Sequence, residues 1–217
     1  MRVLKSTEIY EDLRLEILAG RLEPGERMRL RDIAANYDSS DIPAREALWM
    51  LQRDGLVEMV PYRGARVTAL STREIQEAFF VRGKLEAIAT GLAIAKMTQL
   101  DLERIEAALQ RLDDVESDPL LYAELDRQFH RELIRPCDNL VLLETIEKLW
   151  QAQSAFQVLF RLDHQRVEVS RIEHRAIVRE VNAGRVAVAS ELVFNHRISA
   201  ANALANSVEN EESTSST

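Results

Sequence analysis

Cysteine is nearly absent from this 217-residue sequence. A single thiol, Cys137, excludes an internal disulfide framework and suits a reducing compartment. Proline and glycine are scarce, at 5 and 7 residues, so long uninterrupted helices are expected. No run approaches the roughly 20 apolar residues that a membrane-spanning helix needs. The opening Met1-Arg2-Val3-Leu4-Lys5 lacks the apolar stretch and small-residue cleavage site of a signal peptide. The expected location is therefore cytoplasmic, with no membrane partner. Positive charge is also short: 28 Lys and Arg stand against 36 Asp and Glu, for a net charge of −8.

That acidity argues against a nucleic-acid binder until the chain is divided near residue 70. The first part is nearly neutral, and after Lys5 every base in it is arginine, including Arg27, Arg29, Arg31, Arg45, Arg63 and Arg66. A planar guanidinium matches phosphate and guanine edges better than the point charge of lysine does. Dispersed arginines are equally common on solvated faces, so composition alone leaves both readings open.

Periodicity organises the first part. Ile9, Leu13, Ile17 and Leu18 keep helical spacing, and Gly20 stops that helix. A short helix is expected over Leu30–Asn36 and another from about Asp41 to Asp54, begun by Ser39-Ser40-Asp41 and ended by Gly55. Two β-prone runs, Leu56–Val60 and Ala65–Ala69, flank Pro61-Tyr62-Arg63-Gly64 and read as a hairpin. Helix, helix, helix, hairpin is the layout of a winged helix-turn-helix. Leu48 and Trp49 read as core.

Beyond Ser71 the pattern becomes wholly helical. Ser71-Thr72-Arg73-Glu74 is a capping box. Helices are expected over about 72–96, 99–115, 119–135, 139–161, 166–182 and 185–204, giving an antiparallel all-α bundle of six helices. The expected fold is mainly α, with domains over 1–70 and 71–206 and a disordered tail over 207–217. Cys137 and His164 fall between helices.

Three of the four histidines form a pattern with one aspartate. Asp126 and His130 are four apart and share a helix face. His174 lies ten residues before Gly184 and His196 twelve after it, so two helices folding back there would set both at similar height. Three imidazoles and a carboxylate suit a divalent ion, zinc first, with nickel, manganese or iron as alternatives. A helical His/Asp site also admits an enzyme, but no nucleophile motif or separate general base accompanies these residues. Core histidines remain the plainer alternative.

Two stretches resemble known families. Ile17-Leu18-Ala19-Gly20-Arg21-Leu22-Glu23-Pro24-Gly25-Glu26-Arg27, Pro43-Ala44-Arg45-Glu46-Ala47-Leu48, Asp54-Gly55-Leu56-Val57 and Arg63-Gly64-Ala65-Arg66-Val67 resemble the DNA-binding domain of the GntR family of transcription regulators. Asp126-Arg127-Gln128-Phe129-His130 and Glu173-His174-Arg175-Ala176-Ile177, with His196, resemble the helical FCD effector domain of the FadR subfamily. The resemblance implies a ligand-responsive transcription regulator, repressing by default, rather than an enzyme. It implies a homodimer on palindromic double-stranded DNA, and a small carboxylate effector bound beside the metal.

By the same resemblance Arg31 and Arg45 contact DNA, with Arg63 and Gly64 at the wing, and Ser40 caps the recognition helix, touches phosphate, or does both. Asp41 stands where the family usually carries arginine; it either alters base preference or only complements the helix dipole. Arg82 falls where relatives place an arginine near the effector. An i,i+4 surface pair with Glu86 is its other reading.

Overall fold

Apolar side chains at every third or fourth position build α1 (Lys5–Leu18), which buries Ile9, Leu13 and Ile17 against α3 (Asp41–Arg53) and its Ala44, Leu48 and Leu51. The computed structural model describes residues 4–61, 63–69, 71–115, 118–152 and 164–215. They fall into two compact units, one holding the chain up to residue 69 with Trp150–Ala152, the other holding Ser71–Leu149 and the chain from His164 onward.

In the first unit α2 (Leu30–Asn36) packs on α3, and three short strands follow the order β1 (Arg27–Met28), β3 (Gly64–Val67), β2 (Val57–Val60), all antiparallel. The hairpin appears where alternation places it, with Val57, Ala65 and Val67 inward and Glu58 and Arg66 outward. The third strand is not legible in the sequence, since two residues are too few for a period. Gly64 is required by this arrangement: its φ is +93°, and a Cβ there would collide with the Met28 carbonyl oxygen. Trp49 is 55% exposed on α3 and is not core, whereas Leu48 is fully buried. The Tyr10 hydroxyl donates to the Asp54 carboxylate at the end of α3, tying α1 to the start of the hairpin.

The second unit is built from α4 (Thr72–Ile94), α5 (Gln99–Asp113), α6 (Pro119–Ile134), α7 (Leu140–Ala152, of which Trp150–Ala152 fall to the first unit), α8 (His164–Asn182) and α9 (Val186–Ser215). Four of these helices begin at an identifiable cap. Ser71 and Glu74 close a capping box at α4, as do Thr98 and Asp101 at α5. Asp118 accepts from Leu121 N at α6, and Asn139 accepts from Leu142 N at α7.

The most extensive contact joins α4 to α9. They run antiparallel, because Gly83 faces Phe194 and Arg197 while Gly91 faces Ser190 and Val186. A Cβ on Gly83 would lie 3.1 Å from both Phe194 and Arg197, so glycine lets the two helices approach closely.

Cys137 lies between α6 and α7, as expected, and is buried. The expected helix over 139–161 is described only to Ala152, and the rest of it lies outside the described residues, as does the His164 side chain. Helix α9 runs to Ser215, through the segment that composition assigns to a tail. A helix already nucleated by its packed part lengthens at one hydrogen bond per residue, which composition does not convey. Among the described residues no helix is long and apolar enough to cross a membrane.

Candidate DNA-binding groove and metal centre

The first unit carries a groove of about 840 Å³ between the starts of α2 and α3 and the hairpin. Arg27, Arg29, Arg31, Arg45 and Arg63 line it, with Asp32, Asp41 and Gly64. All five arginines are exposed, and among the described residues none has a carboxylate within ion-pair distance. Of the arginines away from the groove, Arg21 pairs with Glu16 at 2.7 Å and Arg53 lies 3.4 Å from Asp54, while Arg14 and Arg66 make no ion pair among the described residues. Among the described residues the groove guanidiniums have no ion-pair partner, and such a patch favours anions. Ser40 is the N-cap of α3 by backbone conformation, yet its hydroxyl makes no capping hydrogen bond. Arg31, Asp41, Arg45, Arg63 and Gly64 thus meet in one groove, with Ser40 at the N-cap of α3. Arg27 and Arg29 are additions, brought in by the strand that sequence reading misses.

In the second unit one atom from each of Asp126, His130, His174 and His196 lies within 4.8 Å of the others. The three Nε2 atoms form a nearly equilateral triangle with sides of 3.3 Å (His130–His174), 3.2 Å (His130–His196) and 3.2 Å (His174–His196). Asp126 Oδ1 is 3.2 Å from His174 Nε2 and 3.8 Å from His130 Nε2. Donors about 2.0–2.1 Å from a tetrahedral ion stand roughly 3.3–3.4 Å apart, and slightly closer round an octahedral one, so the triangle fits a divalent ion. Without an ion or a shared proton, three nitrogen lone pairs would face one another inside a buried site. The donor set therefore fits a metal.

Burial, then the charge of Arg197 and the neighbouring imidazoles, holds His130 well below the usual histidine range. Burial also lowers His196, followed by His174 and Arg197. Both rings are thus neutral and able to coordinate. Burial alone would raise Asp126, but the His174 hydrogen bond and the Arg197 charge outweigh it and keep the carboxylate ionised.

Charged residues surround these four. His196 Nδ1 meets Glu173 Oε2 at 2.7 Å, and Arg166 Nη2 donates to the same oxygen at 2.8 Å. A carboxylate on the outer ring nitrogen fixes the tautomer that leaves Nε2 for a metal. Glu86, 1% exposed, accepts from Arg197 Nε at 2.7 Å and lies 3.1 Å from Arg82 Nε and 3.7 Å from His130 Nδ1. Arg82 does pair with Glu86, but inside the bundle rather than on its surface, with its guanidinium 4.5 Å from the Phe79 ring centre. Burial first, then Arg197, pushes Arg82 down to about 9, so it remains charged near neutrality. Sequence reasoning placed Glu86 only as a surface partner of Arg82 and missed Arg166, Glu173 and Arg197, of which Glu173 and Arg197 each adjoin a histidine of the set.

A winged helix with an unpaired arginine groove, joined in one chain to a helical bundle with a metal-type cluster, defines a DNA-binding regulator with a sensing domain. The chain belongs to the GntR family of bacterial regulatory proteins: the gntR-family model matches residues 5–67, and the FCD domain model matches residues 77–199. It is 27% identical to the HTH-type transcriptional repressor GlaR of Escherichia coli over 89% of this chain and 92% of that protein. It is 28% identical to the probable D-xylose utilization operon transcriptional repressor of Paenarthrobacter nicotinovorans, over 90% of this chain and 86% of that protein. In fold it resembles the crystal structure of a putative GntR regulator from Rhodococcus sp. RHA1, with a TM-score of 0.70 at 23% identity, covering 92% of this chain and 97% of the other. The protein is a ligand-responsive DNA-binding transcriptional regulator and not an enzyme.

Proposed function

We propose that this regulator is a cytoplasmic, homodimeric repressor that releases a palindromic operator when a small carboxylate binds beside a divalent ion in its bundle. The observation that carries the proposal is the triangle of imidazole nitrogens, 3.2–3.3 Å on each side, closed by the Asp126 carboxylate. Asp126, His130, His174 and His196 hold the ion, and zinc suits this nitrogen-rich set best, ahead of nickel, manganese or iron. A divalent ion so held supplies an electrophilic position at which a carboxylate oxygen coordinates. Arg82 adds a charge-assisted hydrogen bond, its guanidinium shared with Glu86.

Residues 1–70 form the DNA-binding domain, and residues 71–206 the sensing domain. Arg31, Arg45 and Arg63 contact phosphate or base edges, Gly64 keeps the hairpin close to the duplex, Ser40 offers its uncommitted hydroxyl to phosphate, and Asp41 reads a base amine. The dimer is supported by an apolar stripe on α4, where Phe80, Val81, Ile88 and Leu92 are each 41–54% exposed. Repression is supported by the names of the two relatives above. The effector shifts DNA affinity only as far as it prefers one arrangement of the dimer over the other.

Cobalt substitution tests this reading. Operator DNA selected from a random pool, titrated with cobalt-loaded protein, is expected to dissociate when an added carboxylate changes the cobalt absorption spectrum. A spectral change with undiminished DNA binding would contradict it.

A further inference from the structure

Helix α3 has two distinct faces. Ala44, Ala47, Leu48 and Leu51 are buried, while Asp41, Ile42, Arg45, Glu46 and Trp49 are exposed. Ile42 and Trp49 are seven residues apart, two turns of helix, and so stand in line along the middle of the exposed face. Asp41 directly precedes Ile42, and Arg45 follows it one turn later on the same side. Asp41 and Arg45 both line the arginine groove.

Between those two charged residues an isoleucine stands out. Ile42 is 69% exposed in the first turn of α3, where its bulk contributes little to the core. A β-branched side chain is also a weaker helix former than the straight-chain and alanine alternatives. Single exposed apolar residues are common on protein surfaces. The place of this one is not: the first turn of the second helix in a helix-turn-helix is the part that reaches base edges in the major groove.

The chemistry of that groove narrows what an isoleucine can meet. The base edges there offer nitrogen and oxygen, and the only methyl group among them is on C5 of thymine. Against cytosine N4 or guanine O6 the side chain would displace water and return no hydrogen bond, which is costly. Against the thymine methyl it buries apolar surface on both partners.

We infer that Ile42 is a specificity-determining residue that packs on the C5-methyl group of a thymine in each operator half-site. This rests on the reading above in which α3 brings Arg45 and Asp41 to the bases, and the experiment separates the two.

Full-length wild-type protein first selects its operator from random DNA. Each thymine of the enriched half-site is then replaced, one at a time, by deoxyuridine, which keeps every hydrogen-bonding group and drops only the methyl. Fluorescence anisotropy is expected to show one position per half-site where this weakens binding about fourfold, the worth of one buried methyl group. With Ile42→Ala, which trims an exposed side chain and leaves the melting temperature unchanged, thymine and uracil at that position are expected to bind equally.

A wild type with no uracil-sensitive position overturns the proposal. So does a thymine preference that Ile42→Ala leaves intact, since another residue or the shape of the duplex would then read the methyl. Arg45→Ala on the same operator is the separate control. Weakened binding there, with no role for Ile42, leaves α3 at the bases; undiminished binding removes α3 from the groove and overturns both.

Discussion

The Nε2 atoms of His174 and His196 lie 3.2 Å apart, although Gly184 and a change of helix separate them. The α8–α9 turn sets the two rings at one level, and α6 brings His130 and Asp126 to the same point. Replacing His174 by alanine removes one corner of the donor triangle. The expected result is loss of tightly bound metal, measured by elemental analysis of purified protein, together with loss of carboxylate-induced release from operator DNA. Operator affinity without effector is expected to persist, because the arginine groove belongs to the other unit.

The groove yields a prediction that separates contact from stability. Arg45 is exposed and has no ion pair among the described residues, so Arg45→Ala is expected to leave the melting temperature unchanged. Operator binding is expected to weaken by about 1–3 kcal/mol if a base edge is lost. For Arg31→Ala or Arg63→Ala, each lost phosphate contact lowers the salt slope by about 1. Fluorescence anisotropy across a salt series reads both effects. Asp41→Arg is expected to change the preferred site in a selection from random DNA, and an unchanged site would leave Asp41 a dipole partner only.

The α4 stripe predicts a surface-sensitive assembly. Ile88 is 54% exposed, so Ile88→Glu costs the isolated subunit little. In a dimer seam the same carboxylate is buried without a partner, which is strongly unfavourable. Sedimentation velocity is expected to show a dimer for the wild type and a monomer for the variant, with operator affinity falling as one half-site is lost.

Tyr10 gives a pH signature to the first unit. Burial first, then the hydrogen bond and charge of Asp54, pushes its phenol up to about 12. A group whose folded value is raised contributes stability that is complete below its unfolded value, near 10. That contribution is lost as pH climbs from about 10 to about 12. The first unit is expected to lose stability over this window by chemical denaturation. Tyr10→Phe is expected to flatten that part of the curve while lowering stability near neutrality.

Much of this organisation is legible from local rules. The Ser71-to-Glu74 box, the Asp126/His130 pair and the hairpin all follow from periods of 3.6 and 2 or from fixed cap spacings. What escapes is set by tertiary context. Glu86, four residues after Arg82, reads as half of a surface pair, and only the closeness of α4 and α9 at Gly83 buries it under Arg197. Arg166 and Glu173 lie two turns apart on one face of α8, a spacing too common to single them out, and only the placement of His196 on the next helix joins the pair to the cluster. Trp49 fits the apolar side of α3 by type, but the helix turns that position to solvent.

Native mass spectrometry of the purified full-length protein tests the central claim, that Asp126, His130, His174 and His196 together hold a divalent ion in a dimeric regulator. The expected species is a dimer carrying one divalent ion per chain, reduced to a metal-free dimer by His174→Ala. A wild-type protein that takes up no zinc, nickel, manganese or iron at stoichiometric supply would contradict it, and would make the histidine triangle a packing feature of the bundle.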